Sequence, residues 1–342
     1  MASKPVKVII EQNVPFLSVL KPHVRVEYLA PDLFSPDAVR DADALIVRTR
    51  TRCDEALLGG SAVKFIGTAT IGTDHIDLPW CASAGIEVAN APGCNAPAVA
   101  QYVFGSLMQV LNRSLRRCTI GIVGVGNVGS IVERWARAME MNVLRCDPYK
   151  EHIDDGFGWV SLDEIARSAD IITFHTPLVK NGPYPTWHMA DERFFNSLRR
   201  APVIINAARG PVVDNNAWVE AIDAGVCGPA IVDCWEGEPH ISHDLLMRAA
   251  VSTPHIAGYS RQGKIRASQT VLTALCRHFG LPALRVSEPT PPLVPRSITP
   301  ATALYGYDPI PESEILKQFP EDFEQLRNHY KLRDELPERF SR

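Results

Sequence analysis

An arginine, a glutamate and a histidine stand just beyond three short apolar runs in the second half of this 342-residue chain. Arg209 follows VIINAA and precedes Gly210, Glu238 follows IVDCWEG and precedes Pro239, and His255 follows VSTP. Together they supply what the oxidation of a hydroxy acid requires. A neutral imidazole can take the hydroxyl proton as hydride leaves the same carbon, and a carboxylate can orient the ring and stabilise the imidazolium. A guanidinium can hold the substrate carboxylate or polarise the carbonyl. Taken singly, each has a plainer reading: a histidine after proline is often a hydrogen-bonded loop residue, and Arg209 with Glu238 could be a structural ion pair. His75, His175 and His188 show no partner pattern and read as structural.

Hydride needs an acceptor, and one stretch suits a dinucleotide. TIGIVGVGNVG, Thr119 to Gly129, is an apolar run that ends in Gly124-x-Gly126-x-x-Gly129. A strand that feeds such a turn and then a helix places backbone N–H groups and a positive dipole end where a pyrophosphate can sit. Ile131 to Met139 reads as that helix, and a second apolar strand ends at Cys146, delivering Asp147 eighteen residues after Gly129. A carboxylate there accepts hydrogen bonds from ribose hydroxyls and repels a 2′-phosphate, which favours NAD over NADP. The alternative for Asp147 is a turn residue before Pro148.

The elements that must position these groups alternate between short apolar runs and helical patterns, the mark of parallel α/β architecture. One set of strands comprises Val6 to Ile10, Val24 to Tyr28, Ala44 to Val47, Lys64 to Thr68 and Glu87 to Asn90. A second begins at Thr119 and continues through Val143, Ile171 to Phe174, Val203 to Asn206, Ala230 to Val232 and Val251 to Thr253. Only the second set opens on the glycine-rich turn, so we expect two Rossmann-like parallel-sheet domains, the cofactor domain inserted within a flavodoxin-like one. The expected bounds are 1–94 with 257–286 for the substrate-binding domain and 95–256 for the NAD-binding domain. Residues 287–342 read as a linker, with five prolines from Ser287 to Pro300, and a charged, amphipathic helical tail, Phe319 to Leu336, that must dock on a partner subunit or on its own body.

Composition agrees with a soluble enzyme. The formal net charge is -4 with no basic run, which gives no reason to expect nucleic-acid or membrane binding. Eight cysteines are scattered without metal-ligand spacing, no metal is expected, and no secretory signal or spanning apolar stretch is present, so the cytoplasm is the expected compartment.

GVGNVG, the CDP at Cys146 to Pro148, HTPL at His175 to Leu178, NAARG at Asn206 to Gly210, DCWEGEP at Asp233 to Pro239 and TPHIAG at Thr253 to Gly258 resemble the D-2-hydroxyacid dehydrogenase superfamily. The resemblance implies His255 as acid/base, Glu238 as its orienting carboxylate and Arg209 as the substrate-binding electrophile. It further implies that Gly124, Gly126, Asn127, Val128, Gly129, Asp147, Thr176, Ala207, Ala208, Arg209, Asp233 and Gly258 line the cofactor, with Asp233 at the nicotinamide.

A finer resemblance is to the erythronate-4-phosphate dehydrogenase family of pyridoxal phosphate biosynthesis. It rests on LIVRTRT at Leu45 to Thr51, KFIGTATIGTDHID at Lys64 to Asp77, APGCNAPAVAQYVF at Ala91 to Phe104, FHTPLVKNGPYPTWHM at Phe174 to Met189, and FEQLRNHYKLRDE at Phe323 to Glu335. That family's pattern implies substrate contacts from Thr49, which stands where serine is expected, and from Thr70 and Tyr259, and implies a homodimer through the C-terminal segment. The implied substrate, 4-phospho-D-erythronate, has two anionic ends, and Arg209 can serve only one. Arg48, Arg50 and Arg52 would share a face if the segment is extended, so Arg48, alone or with Arg50, is expected at the phosphate. Other 2-hydroxy acids, such as phosphoglycerate or glyoxylate, and an NADH-sensing role without turnover remain alternatives.

Overall fold

The computed structural model describes residues 5–111, 113–153, 158–287, 294–305 and 307–339, and they form two α/β units, each built on one parallel sheet. The first unit comprises residues 1–95 and 261–292. Its strands are β1 (Lys7–Glu11), β2 (Arg25–Leu29), β3 (Ala44–Val47), β4 (Phe65–Thr68) and β5 (Glu87–Ala89), in the order β2-β1-β3-β4-β5. That is the flavodoxin-like winding, with the chain changing direction across the sheet between β1 and β3. β3 and β4 are buried throughout and β1 wholly so, because parallel sheets are covered on both faces and their strands need no polar alternation.

The second unit comprises residues 96–260 and 293–342. Its sheet runs β11-β10-β9-β8-β6-β7, with β6 (Thr119–Val123), β7 (Asn142–Cys146), β8 (Ile171–Phe174), β9 (Val203–Asn206), β10 (Ala230–Val232) and β11 (Val251–Ser252). The switch in winding falls between β6 and β8, so the loops at their carboxyl ends border the crevice where this architecture binds ligands. The helix Ala96–Val110 is buried along nearly its whole length, with Tyr102, Val103, Phe104 and Leu107 inaccessible to solvent. Among the described residues, no helix is long and apolar enough to cross a membrane.

The C-terminal segment departs from the amphipathic helix expected over Phe319 to Leu336, and it does not stand apart from the second unit. Helices occupy Ile310–Gln318 and Phe323–Asn328, separated at Pro320, and the described residues beyond Asn328 are not helical. Proline cannot donate the hydrogen bond that would join the two helices into one. Leu316, Phe323 and Leu336 are fully buried against the unit's own core. Each such side chain contributes about 1.5–3 kcal/mol on leaving water, which is what orders helices too short to persist alone. Of the proline-rich linker, residues 288–293 lie outside the described residues.

Candidate active site

β6 delivers the chain to Gly124, whose φ of +87° belongs to the left-handed region. A side chain there would also strike the His175 carbonyl group at 2.9 Å, in the loop after β8. At Gly129 an added Cβ would lie 2.1 Å from the Gly124 carbonyl oxygen, so only glycine lets the helix Asn127–Ala138 close on the turn. At Gly126, by contrast, an added Cβ would meet nothing within 4 Å: this position faces open space. The helix that begins there, with Asn127, Val128 and Gly129 in its first turn, has no side-chain cap. The helices Glu192–Ser197, Asn215–Asp223 and His243–Arg248 are capped by Asp191, Asp214 and Ser242. Uncapped N–H groups and a positive dipole end are what an anion would take up.

Asp147 ends β7 and faces the same turn. Its carboxylate accepts from the Val125 N–H at 3.0 Å and the Lys150 N–H at 3.2 Å, and Lys150 Nζ donates to the Val125 carbonyl. These bonds leave oxygen lone pairs for ribose hydroxyls. Thr176 follows β8, and Ala207 and Ala208 follow β9, on the same carboxyl edge. Open space over Gly126, an uncapped helix start and a carboxylate after the second strand fit a dinucleotide of the NAD type.

His255 and Glu238 meet at that edge. The imidazole Nδ1 lies 2.8 Å from Glu238 Oε2 and 3.0 Å from Oε1, with both side chains partly buried. Glu238 also accepts from the Trp235 N–H at 2.9 Å. Burial pushes the Glu238 carboxyl up, but the His255 ring, the Trp235 N–H and Arg327 together hold it below the ordinary carboxylate range. That shift adds stability above the ordinary range, which is lost as pH falls through the lowered value. With Nδ1 occupied, Nε2 is the ring atom left to exchange a proton.

The loop that carries His255 is held against its own preference. His255 has φ +56°, a left-handed conformation that costs a non-glycine residue on the order of 1–3 kcal/mol unless its surroundings impose it. Asp233, only 1% exposed, accepts from Thr253 Oγ1 at 2.7 Å, the Ile256 N–H at 2.8 Å and the Ala257 N–H at 3.0 Å. Burial raises the Asp233 carboxyl above its usual range despite these bonds. The carboxylate expected at the nicotinamide is thus turned inward onto the turn that precedes Gly258. Trp235 Nε1 donates to the Thr253 carbonyl at 2.9 Å, tying the Glu238 loop to the His255 loop.

Arg209 is half-buried and stands beyond β9, next to Gly210. Asn206 organises this loop: its amide donates to the carbonyls of Arg209 (3.0 Å), Gly210 (3.3 Å) and Cys234 (3.3 Å), and its oxygen accepts from the Ala208 N–H. A Cβ at Gly210 would overlap the Trp235 carbonyl oxygen at 1.9 Å, so the Arg209 and Glu238 loops touch through backbone. Cys234 lies between them, its Sγ within 4.8 Å of a His255 ring nitrogen and a Glu238 carboxylate oxygen. Burial, with Asp233 and Glu238, pushes that thiol well above its ordinary range, so it stands as a neutral S–H donor toward the Ala208 carbonyl.

Asn206 escaped the sequence reading, and so did two arginines of the C-terminal segment. Burial works against the charge on Arg327, yet Tyr259 and Glu238 beside it hold it firmly protonated. Arg333 is 6% exposed, and Tyr330 packs edge-on against Tyr259 with ring centroids 6.2 Å apart. A charged tail suggests a solvated face, and only the fold shows which charges turn inward.

In the first unit, the expected alternation of Arg48, Arg50 and Arg52 is not formed. β3 stops at Val47 and residues 49–51 turn. Glu11, at the end of β1, imposes this by accepting from the Arg48 N–H and from Thr51 Oγ1, each at 2.9 Å. Arg52 instead pairs with Asp54 at 2.7 Å, while Thr49 and Arg50 are exposed and Arg48 is half-buried. Thr70, just past β4, shares a 2.6 Å hydrogen bond with Thr68 Oγ1 and donates to the Gly72 carbonyl.

Residues 98–257 match the model of the D-isomer specific 2-hydroxyacid dehydrogenase NAD binding domain. The chain is 47% identical to the erythronate-4-phosphate dehydrogenase of Bacteroides thetaiotaomicron over 337 residues, 96% of this chain and 97% of that protein. It is 40% identical to the enzyme of the same name from Porphyromonas gingivalis, over 95% and 92% of the two chains. Among solved structures it is similar to the D-lactate dehydrogenase of Aquifex aeolicus complexed with NAD and lactic acid, with TM-score 0.69, 26% identity, and 80% and 96% of the two chains covered. An NAD-bound 3-phosphoglycerate dehydrogenase from Entamoeba histolytica shares the fold, with TM-score 0.70, 23% identity, and 83% and 99% covered. The chain belongs to the erythronate-4-phosphate dehydrogenase family, within the D-isomer-specific 2-hydroxyacid dehydrogenases.

Proposed function

We propose that this protein oxidises 4-phospho-D-erythronate to 2-oxo-3-hydroxy-4-phosphobutanoate, with NAD as the oxidant. The observation that carries this reading is the His255–Glu238 pair at the carboxyl edge of the nucleotide-binding sheet, in a chain 47% identical to an enzyme of that name. Arg209 holds the C1 carboxylate and polarises the C2 oxygen. His255 takes the C2 hydroxyl proton at Nε2 while Glu238 stabilises the ring as it charges. NAD, when bound along Gly124–Gly129 with its ribose on Asp147, supplies the acceptor for the hydride that leaves C2. Asn127, Val128, Thr176, Ala207, Ala208 and Gly258 are assigned to the cofactor, Asp233 acting through the turn it holds before Gly258, and Thr49, Thr70 and Tyr259 to substrate.

Glu238 orients the ring, since both its oxygens lie within hydrogen-bond reach of Nδ1. Glu238→Gln is expected to lower kcat for oxidation by at least about tenfold, because a mis-set ring is a poor proton acceptor, while NADH affinity is kept. Initial rates of NADH formation and an NADH titration check both. An unchanged kcat would take the orienting role from Glu238.

Arg48 is assigned to the substrate phosphate. Arg48→Ala is expected to raise KM for 4-phospho-D-erythronate about tenfold or more, the size of a lost charge-assisted contact. KM for unphosphorylated D-erythronate would stay unchanged. Equal effects on both substrates would remove Arg48 from the phosphate.

A homodimer and a cytoplasmic location complete the proposal. Exposed Ile315 and Phe319 on the C-terminal segment support the first, and eight free, buried cysteines the second. Light scattering on the purified protein tests the dimer.

A further inference from the structure

Arg333 is one of the most deeply buried charges of the second unit, yet among the described residues it forms no ion pair with a carboxylate. Its guanidinium donates to the carbonyls of Ile256 at 3.1 Å, Tyr259 at 3.2 Å and Ala98 at 3.1 Å, to the Ala257 carbonyl, and to the Tyr330 hydroxyl at 3.1 Å. It stacks 4.1 Å from the ring of Tyr307. A fully desolvated guanidinium is costly, and a planar fork of five N–H donors suits one task well: holding several carbonyls in a fixed arrangement.

Those carbonyls belong to the turn that follows His255. The N–H groups of Ile256 and Ala257 point to Asp233, and the carbonyls of the same two residues point to Arg333. Two successive residues are thus held between a buried carboxylate and a buried guanidinium, immediately after a histidine in a left-handed conformation. Ser260 continues the clamp, forming a parallel bridge with Arg333 and donating its hydroxyl to Glu335. The third acceptor, Ala98, lies in the first turn of the helix Ala96–Val110, so Arg333 ties the turn to a rigid, buried element.

We propose that Arg333 is a positioning residue of the reaction: from the C-terminal segment it fixes the Ile256–Tyr259 turn and thereby the imidazole of His255. This rests on the reading of His255 as the proton acceptor. Loss of Arg333 removes a donor from three loop carbonyls, of which Ile256 keeps only the Tyr259 N–H, and leaves His255 free to relax toward an ordinary backbone conformation. A displacement of about 1 Å at a reacting group costs on the order of a hundredfold in rate. The nucleotide turn at Gly124–Gly129 and Asp147 have no contact with Arg333 among these bonds, so the hold on the pyrophosphate and ribose is kept and only the Gly258 contact shifts with the turn.

The test compares Arg333→Ala, Arg333→Lys and wild type. Wild-type turnover of 4-phospho-D-erythronate is established first, so failure of the functional reading shows there and not in the variants. Expected for Arg333→Ala are a kcat at least tenfold lower, an NADH dissociation constant by fluorescence within threefold of wild type, and partial recovery of kcat with millimolar guanidinium ion. Arg333→Lys keeps the charge without the fork and is expected to fall between, which carries the test if the alanine variant fails to fold. Gln109→Ala, which frees the segment at its separate Gln109–Asp308 hydrogen bond, is expected to leave kcat unchanged. A folded Arg333 variant with kcat within twofold of wild type would overturn the proposal. So would equal losses of kcat and NADH affinity without guanidinium rescue, or a Gln109→Ala loss as large as that of Arg333→Ala.

Discussion

His255→Ala is expected to lower kcat for oxidation by about 10²- to 10⁴-fold, the usual contribution of a positioned general base, and to leave NADH binding within a few-fold of wild type. The size of the loss follows from geometry. Nδ1 is committed to Glu238 at 2.8 Å, so a single ring atom is available for the substrate proton, and alanine leaves nothing in its place. The spared NADH affinity follows from the separation of roles along the sheet edge: the glycine turn after β6 is formed by Gly124, Gly129 and the His175 segment, none of which depends on the imidazole. Steady-state kinetics and an NADH fluorescence titration on the same preparation check both halves. A variant with wild-type kcat would place the base elsewhere.

Arg209→Ala is the second large effect. On the proposed reading the guanidinium acts on both the ground state, through the carboxylate, and the transition state, through the C2 oxygen, so KM is expected to rise and kcat to fall together. A loss of about 10²- to 10³-fold in kcat/KM is expected, the cost of removing one well-placed electrostatic stabiliser. Arg209→Lys recovers little of it, because a point charge cannot reproduce a bidentate fork. The loop itself stays formed in either variant, since Asn206 and Gly210 hold it through backbone contacts that do not involve the side chain. Kinetics with substrate varied at saturating NAD measure the split. A change confined to KM would reduce Arg209 to a carboxylate anchor.

Strands and the nucleotide turn were legible in the sequence because their signals are local. Short apolar runs place β3, β8, β9 and β10 at their observed bounds, and the glycine spacing marks the turn at Gly124. The sequence also put Glu238 and His255 just past strand ends, where the parallel sheet makes them neighbours at 2.8 Å. What was not legible depends on contacts remote in sequence. Asn206 reaches Cys234, Asp233 reaches Ala257, and Arg333 reaches Ala98, and no spacing rule announces any of these. The arginine alternation failed for a related reason: an extended run was assumed past Val47, but Glu11 from another strand draws the chain into a turn. In the tail, the helical pattern ran through Pro320, and the missing proline N–H divided it.

The most direct measurement is NADH formation at 340 nm by the purified protein with NAD and 4-phospho-D-erythronate, beside 3-phosphoglycerate and D-lactate, with a parallel run containing a 2-oxo acid acceptor. The proposed function predicts turnover of 4-phospho-D-erythronate with a kcat/KM at least tenfold above either competitor. Preference for another hydroxy acid, or silence across the panel despite tight NADH binding, would contradict it.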